Sequence, residues 1–468
     1  MFFRKFFMFT ALFCLSWRCF EPFGRLTAVL FALLLTITAN CAETVEINIC
    51  ATADLHGNET QFAKAVAPHI ENLRRKDPSL IYVDAGDTVQ GTLSVMQRRG
   101  RGFLRKLAAA GCSVWVPGNH DLEYGLAAFR AIVREFPGSV LSCNMCVKGL
   151  EDKLRDVVIV EHKGVKIAFI GMMLGSMEMC FPMPPGEWQT VKEAAALRYA
   201  ADKAIKARAD IAVLIRHAGI YSGGEKLSAL LHLVPEIDLV IGAHTHSPEA
   251  GVKVQKSWYI QPGAYGKSVA ECCIVWDKQR RQIVQIRSRL QHLKVFPENE
   301  PPEAALPAPP LTGENINCIA EKIRKHYAGD LAFYIVSNLP EYKKLLKNPA
   351  PVIGDYYRVF NYIDPAVTVA VTADEAEKII LEHLALARGR KQRLLTAGFR
   401  IKNKKVVFDR ELERYKLVLT AYSAAGGSGK LMLTRRTLSG RICFDKAENT
   451  PGVLEIITGA DHNAGKVR

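Results

Sequence analysis

A chain of 468 residues, 49% hydrophobic and 23% charged, has the make-up of an ordinary globular protein, which excludes a largely disordered or fibrous chain. Its length allows two or three domains with large cores. The formal charge of +15 suits an anionic partner (phosphoesters, nucleic acid or a membrane surface) or is only a basic background of solvated faces. The densest run, Arg98, Arg99, Arg101, Arg105 and Lys106, has no interleaved aromatic except Phe103. It reads as the exposed side of a helix, and no nucleic-acid partner is expected.

Residues 1–42 read as a signal peptide or membrane-targeting segment. Arg4, Lys5, Arg18 and Arg25 precede an apolar stretch from Leu26 to Thr38, which is short for a transmembrane span. Cleavage after Ala42 is one outcome; a lipidated Cys41, an uncleaved anchor and a mis-assigned start are the others. Each makes the protein exported, and thus periplasmic, cell-surface or membrane-anchored. Setting aside Cys14, Cys19 and Cys41 leaves nine of the twelve cysteines, an odd number with at least one unpaired. Cys143 and Cys146 have redox-motif spacing but close a strand-like run, so a buried structural pair is expected.

From Glu43 to about Leu290, strands alternate with helices. Apolar runs at Val45–Cys50, Leu80–Val83, Val114–Val116, Ile211–Ile215 and 238–241 predict buried strands, as do Lys166–Gly171 and Ala270–Trp276. Helical spacing covers Phe62–Arg75, Phe103–Ala110, Leu126–Phe136 and Val191–Ala207. The first five strands each run into an island of His, Asp or Asn beside a small residue: Asp54-Leu55-His56-Gly57, Asp84-Ala85-Gly86-Asp87, Gly118-Asn119-His120-Asp121, Arg216-His217-Ala218-Gly219 and Gly242-Ala243-His244-Thr245-His246. Polar ligands at the carboxyl ends of buried strands are how α/β enzymes place chemistry at a sheet edge. One such residue is usually a cap or a surface group; five islands in succession are not. Oxygen and imidazole ligands without thiolate suit two hard or borderline cations sharing a carboxylate, the arrangement that activates water and clamps a phosphoryl group.

Prolines 297, 301, 302, 307, 309 and 310 make residues 296–313 an extended linker. Beyond it, helices are predicted at Asn315–Tyr327 and Ala373–Arg388. Strands are predicted at Val367–Val371, Phe399–Lys402, Lys405–Phe408 and Lys416–Thr420. The domains read as 43–295 and 314–468, with the linker between.

The islands, in order, resemble the signature of the calcineurin-like metallophosphoesterases: D-x-H, G-D, G-N-H-[DE], H and G-H-x-H. The wording DLHGN, DAGDTVQGT and GNHDLEYG resembles, within them, the family of 5'-nucleotidases, UDP-sugar hydrolases and 2',3'-cyclic-nucleotide phosphodiesterases. The resemblance implies an α/β fold: a four-layer α/β/β/α metallophosphoesterase domain, then a smaller α+β domain like the 5'-nucleotidase carboxyl-terminal domain. It implies two divalent metal ions, drawn from Mn, Zn, Fe, Mg and Co. Asp54, His56, Asp87 and His246 would hold the first. Asp87, Asn119, His217 and His244 would hold the second, with Asp87 bridging. His120 would stabilise charge on the phosphoryl group and leaving oxygen, paired with Glu123 where the nucleotidases carry an Asp. Asp121 would make a structural contact beneath the site.

The carboxyl-terminal half resembles the nucleotidase substrate domain less closely, through VIGDYYRVFNYIDPAV, AGFRI and YKLVLTAYSAAGGSGK. The two aromatics that sandwich the base would fall near Phe360 and Tyr422. The family's Asn-Gly-Gly-x-x-Arg segment, which brings an arginine to the substrate phosphate, is missing; Ile335-Val336-Ser337-Asn338-Leu339-Pro340 stands there. Arg324, Arg358 or Arg400 are the substitutes at hand. The expected function is hydrolysis of a small phosphoester, foremost a nucleotide, by metal-bound hydroxide attacking phosphorus in line. The alternatives are cyclic-nucleotide, UDP-sugar or sulfur-ester hydrolysis on the same scaffold and, from another class, a non-catalytic metal-binding envelope protein.

Overall fold

The computed structural model describes residues 43–468 except 176, 178–185, 223, 299–301, 312–315, 361, 363–364, 428, 443–452 and 459–468. The expected targeting segment, 1–42, lies outside the described residues. The chain divides into two compact units. Of the described residues, the smaller comprises 43–46 and Val275–Val284, where Lys278 bonds Glu43 through both backbone and side chain. The larger, Ile47–Ile274 with Gln285–Arg468, carries the candidate site.

Two mixed sheets form its first part. One has the strand order Gln282–His292, Ser268–Asp277, Thr44–Thr52, Ile81–Asp84, Cys112–Trp115, Ser139–Leu141 and Leu154–Arg155; the last five are mutually parallel. The other runs Glu249–Val254, Ser257–Gln261, Leu239–Gly242, Ile211–Arg216, Val165–Met172 and Val157–His162. Its four middle strands are parallel and its edges antiparallel. The inner strands are apolar on both faces because both are covered. The sheets meet where Gly171 packs on Leu141, a contact that a β-carbon at 171 would block.

Helices close the outer faces. Ala67–Lys76, Phe103–Ala109 and Gly125–Glu135 send Ile70, Phe103, Leu107, Phe129 and Val133 into a core with Tyr82, Trp115 and Val140. Glu193–Lys206 and Leu227–Leu233 cover the second sheet, burying Leu197, Ala200, Leu227 and Leu230 against Ile170 and Leu214. The helix expected at Phe62–Arg75 is interrupted by a π-turn, Phe62–Val66. Pro68 lacks an N–H for the i−4 carbonyl, and the Ala67 N–H reaches back five residues to Phe62 instead.

The carboxyl-terminal sheet is four-stranded, in the order Ala366–Val371, Tyr415–Thr420, Leu331–Val336 and Arg393–Ala397. The helix Ala373–Gly389 packs on it, started by a capping box between Thr372 and Glu375. The proline-rich stretch is not simply extended. It contains a 3₁₀ turn, Pro302–Ala305, and Ala308 and Pro309 bond to Pro351 and Tyr356. Buried Ala304, Ala308 and Leu311 hold it down.

The expected Cys143–Cys146 pair is absent; both thiols are free. Cys146 is the middle residue of the strand Met145–Val147, whose neighbours point inward, so its side chain faces solvent while Cys143 is buried. No helix among the described residues is long and apolar enough to cross a membrane.

Candidate metal centre

The five strands that end in the His/Asp/Asn islands lie parallel within their sheets, so each sheet delivers its ligands at its carboxyl edge. Tight turns then aim them. Asp54, His56, Asp87, His244 and His246 all have left-handed backbone, φ between 47° and 72°. For residues with a β-carbon this costs on the order of 1–3 kcal/mol each, and such strain collects at functional sites.

Two clusters result. Ligand atoms of Asp54, His56 and His246 lie within 4.8 Å of one another, as do those of Asp87, His217 and His244. The expected ligands therefore converge as two groups, with Asp87 in the second. Asn119 is buried beside them, its carboxamide oxygen without a hydrogen-bond partner. Gly118 makes this packing possible: a β-carbon there would sit 2.2 Å from Asp87 Oδ1 and 2.5 Å from His217 Cε1.

The donor atoms fit cations. His217 Nδ1 lies 2.7 Å from the Ala85 carbonyl, which requires a proton there and turns Nε2 inward, 3.1 Å from Asp87 Oδ2. That Nε2 is close to the carboxylate yet not aligned to bond it, and Nδ1 of His244 is likewise buried without a partner. His56 Nδ1 faces Gln90 Oε1 at 3.4 Å, and its Nε2 is 3.0 Å from Nε2 of His246. Two imidazole lone pairs that close repel unless a proton or a cation lies between them. The two clusters suit two divalent cations.

Electrostatics agree. Burial pulls His56 and His244 down to about 4, so both are neutral imidazoles. Burial raises Asp54 well above the usual carboxylate range. Burial would also raise Asp87, but the charges of His217 and His120 outweigh it and hold Asp87 well below that range. For His217, burial is outweighed by Asp87, which lifts it to about 9; a divalent cation would compete for the same lone pair.

Backbone bonds lock the loops around this centre. Asp121, fully buried, accepts N–H bonds from Asp87, Thr88, Val89 and Gly118. That is the structural contact expected of it. The Asp54 carboxylate accepts from the His244 N–H at 3.0 Å, tying the first island to the fifth.

His120 opens a 3₁₀ turn, His120–Leu122, whose three-residue period stacks residue 123 over residue 120. Glu123 Oε1 consequently meets His120 Nδ1, extra methylene notwithstanding. Burial lowers His120, yet the carboxylates of Glu123 and Asp87 overcome it and push the ring up to about 10.

Of the two expected base-stacking aromatics, Phe360 is not brought to the site. It is 1% exposed and packs on Tyr334 and Tyr342 in the core. The Phe360 N–H bonds the Tyr356 carbonyl, so the helical turn begun at Ile353 carries the ring inward. Tyr362, two residues on and not singled out from the sequence, is 45% exposed and stacks on His120. Tyr422 is within electrostatic reach of it. Tyr265, also not anticipated, packs edge-on to His246 and tilted on His56. The candidate substitute arginines pair elsewhere: Arg324 with Glu321, Arg358 with Asp355 and Arg400 with Asp409.

Comparison with known proteins agrees with this geometry. Residues 47–248 match the family model described as calcineurin-like phosphoesterase. Over 237 residues the chain is 23% identical to a probable 5'-nucleotidase of Treponema pallidum, covering 46% of this chain and 39% of that one. Over 241 residues it is 24% identical to a 2',3'-cyclic-nucleotide 2'-phosphodiesterase/3'-nucleotidase of Haemophilus influenzae, covering 43% and 36%. The chain thus spans well under half the length of these relatives. A solved putative 5'-nucleotidase of Staphylococcus aureus has a similar fold, with a TM-score of 0.62 at 14% identity over 89% of this chain and 96% of that one.

Proposed function

We propose that this chain, whose residues 47–248 are a calcineurin-like phosphoesterase domain, is a metal-dependent hydrolase of small phosphoesters, with nucleotides as its foremost substrates. The observation that carries this is the meeting of two histidine–carboxylate clusters, drawn from the carboxyl edges of both sheets, beside a His120–Glu123 pair. Asp54, His56, Asp87 and His246 would hold one ion, and Asp87, Asn119, His217 and His244 the other, with Asp87 shared. When bound, the two ions supply Lewis acidity, lowering the pKa of water and neutralising phosphoryl charge.

The chain's own groups do the rest. Glu123 holds Nδ1 of His120 and keeps the ring cationic, so Nε2–H is free to donate toward the leaving oxygen. The buried Asp87 orients His120 as well, accepting its backbone N–H at 2.7 Å. Tyr362 and Tyr422 offer faces on which a base can stack. The Asn-Gly-Gly-x-x-Arg segment is missing from the sequence, so a nucleoside monophosphate would be held chiefly by its base and by the ions.

Residues 43–295 are read as the catalytic domain, 296–313 as the connection and 314–468 as the substrate domain. Residues 1–42 are read as the export segment. The test is a panel of nucleoside monophosphates, cyclic nucleotides, UDP-glucose, sugar phosphates and a thiosulfate ester, given to the Mn- or Zn-loaded protein. AMP hydrolysis above the others supports the reading. Turnover of another member alone replaces nucleotides as substrate. Metal binding without turnover of any, including p-nitrophenyl phosphate, makes it a binding protein.

A further inference from the structure

Directly behind the second cluster lies a buried ion pair. Arg216, the last residue of its strand and the neighbour of His217, is 0% exposed, and Glu193, the first residue of the helix Glu193–Lys206, is 3% exposed. Arg216 gives Nε and Nη2 to Glu193 Oε1 at 3.1 and 2.8 Å. The rest of the guanidinium binds backbone: Nη2 donates to the Glu225 carbonyl at 2.7 Å and Nη1 to the Gly219 carbonyl at 3.2 Å. The second oxygen of Glu193 accepts the Glu225 N–H, and Glu225 returns Oε1 to the Ala194 N–H.

Every part of this arrangement points at the segment that follows His217. Gly219 and Glu225 are pinned to one guanidinium, while His217 N–H is held by the Met172 carbonyl at 2.8 Å. The surroundings leave the carboxylate no freedom: a β-carbon on Gly175 or Gly224 would come within 2.4 or 2.6 Å of Glu193 Oε2. Burying two charges is costly, and a hydrophobic pair of similar volume would commonly do as well for stability. What a hydrophobic pair does not supply is a fixed backbone path, which a guanidinium spanning two carbonyls and a carboxylate does supply.

We propose that Glu193 and Arg216 are positioning residues for His217, setting its Nε2 against Asp87 and so governing the affinity of the Asp87–His217–His244 cluster for its divalent ion. The inference rests on the reading of His217 as a ligand. Groups that orient a metal-binding histidine typically change metal affinity about 10- to 100-fold when altered.

The experiment is equilibrium dialysis of Mn, with circular dichroism checking the fold of each variant at the temperature used. H217A and H56A mark the loss of the second and the first site. R216K and E193Q are each expected to weaken the second site about 10- to 100-fold and to leave the first unchanged. Should either fail to fold, the double variant E193L/R216M removes both charges together and is expected to show the same selective loss. R216K placed in the H217A background should add nothing. Folded variants that bind two equivalents at wild-type affinity, while H217A loses one, overturn the positioning role and leave the ligand reading standing. H217A retaining both equivalents overturns the ligand reading and this inference with it.

Discussion

The ring of Tyr362, from the carboxyl-terminal half, stacks on that of His120 at 5.7 Å between centroids and 28° between planes. An aromatic face is thereby set beside the proposed proton donor, where the leaving group of a nucleotide would lie. Tyr362→Ala should lower kcat/KM for AMP about 5- to 160-fold, the range of roughly 1–3 kcal/mol for one stacked base. Hydrolysis of p-nitrophenyl phosphate should change little. Tyr422→Ala should behave alike, whereas Phe360→Ala should cost stability, about 3–5 kcal/mol, without changing the ratio between substrates. Equal loss on AMP and the aryl ester would mean that Tyr362 acts on His120 and not on a base.

Tyr362 also marks the limit of what the sequence discloses. The strands and candidate ligands of the first part were legible because parallel strands are continuous apolar runs, and each ends where a His, Asp or Asn meets a small residue. Phe360 and Tyr362 differ by nothing in local pattern; a helical turn closing on Tyr356 decides which faces the core. Nothing in the sequence marks the central strand Leu331–Val336, because a short apolar run reads equally as buried helix or strand. Glu193 and Arg216 are 23 residues apart and join only when the second sheet and its helix pack.

Asp87 is the proposed ligand whose loss should cost most. Its carboxylate meets both His217 and the His120 backbone, and its own backbone carbonyl accepts from His56. Asp87→Asn should reduce bound metal below two equivalents and lower turnover more than any other single ligand change. Metal analysis of the dialysed variant checks this; two equivalents with near-native turnover would remove Asp87 from the bridging position.

Variants of His120 and Glu123 should separate metal binding from the proposed proton transfer. Neither belongs to the two clusters. His120→Ala should keep both metals and lose about 10²- to 10⁴-fold in kcat. Glu123→Gln should lose less, because a carboxamide oxygen can still accept from Nδ1 but no longer stabilises the cationic ring. Its pH–rate profile should break at lower pH than that of the wild type on the alkaline side. Loss of metal from His120→Ala would reassign it as a ligand.

His383 makes the carboxyl-terminal core sensitive to acid. It is 0% exposed in the middle of the helix Ala373–Gly389, its ring lies 4.5 Å from Phe333, and Nδ1 bonds the Ile379 carbonyl while Nε2 has no partner. Burial lowers its pKa to about 4, from 6.5 in the open chain. The folded form therefore prefers the neutral ring. The stability this permits is complete above the unfolded pKa and is lost as pH falls from 6.5 toward 4. By pH 4.5 the loss from this one group should be about 2–3 kcal/mol. His383→Leu, of similar volume, carries no proton and should lose that much less between pH 7.5 and 4.5. Urea denaturation of both proteins in chelator, which removes metal binding from the comparison, reads the difference directly. An equal fall in stability for the two would show that His383 stays neutral in the unfolded chain as well or is hydrated in the folded one.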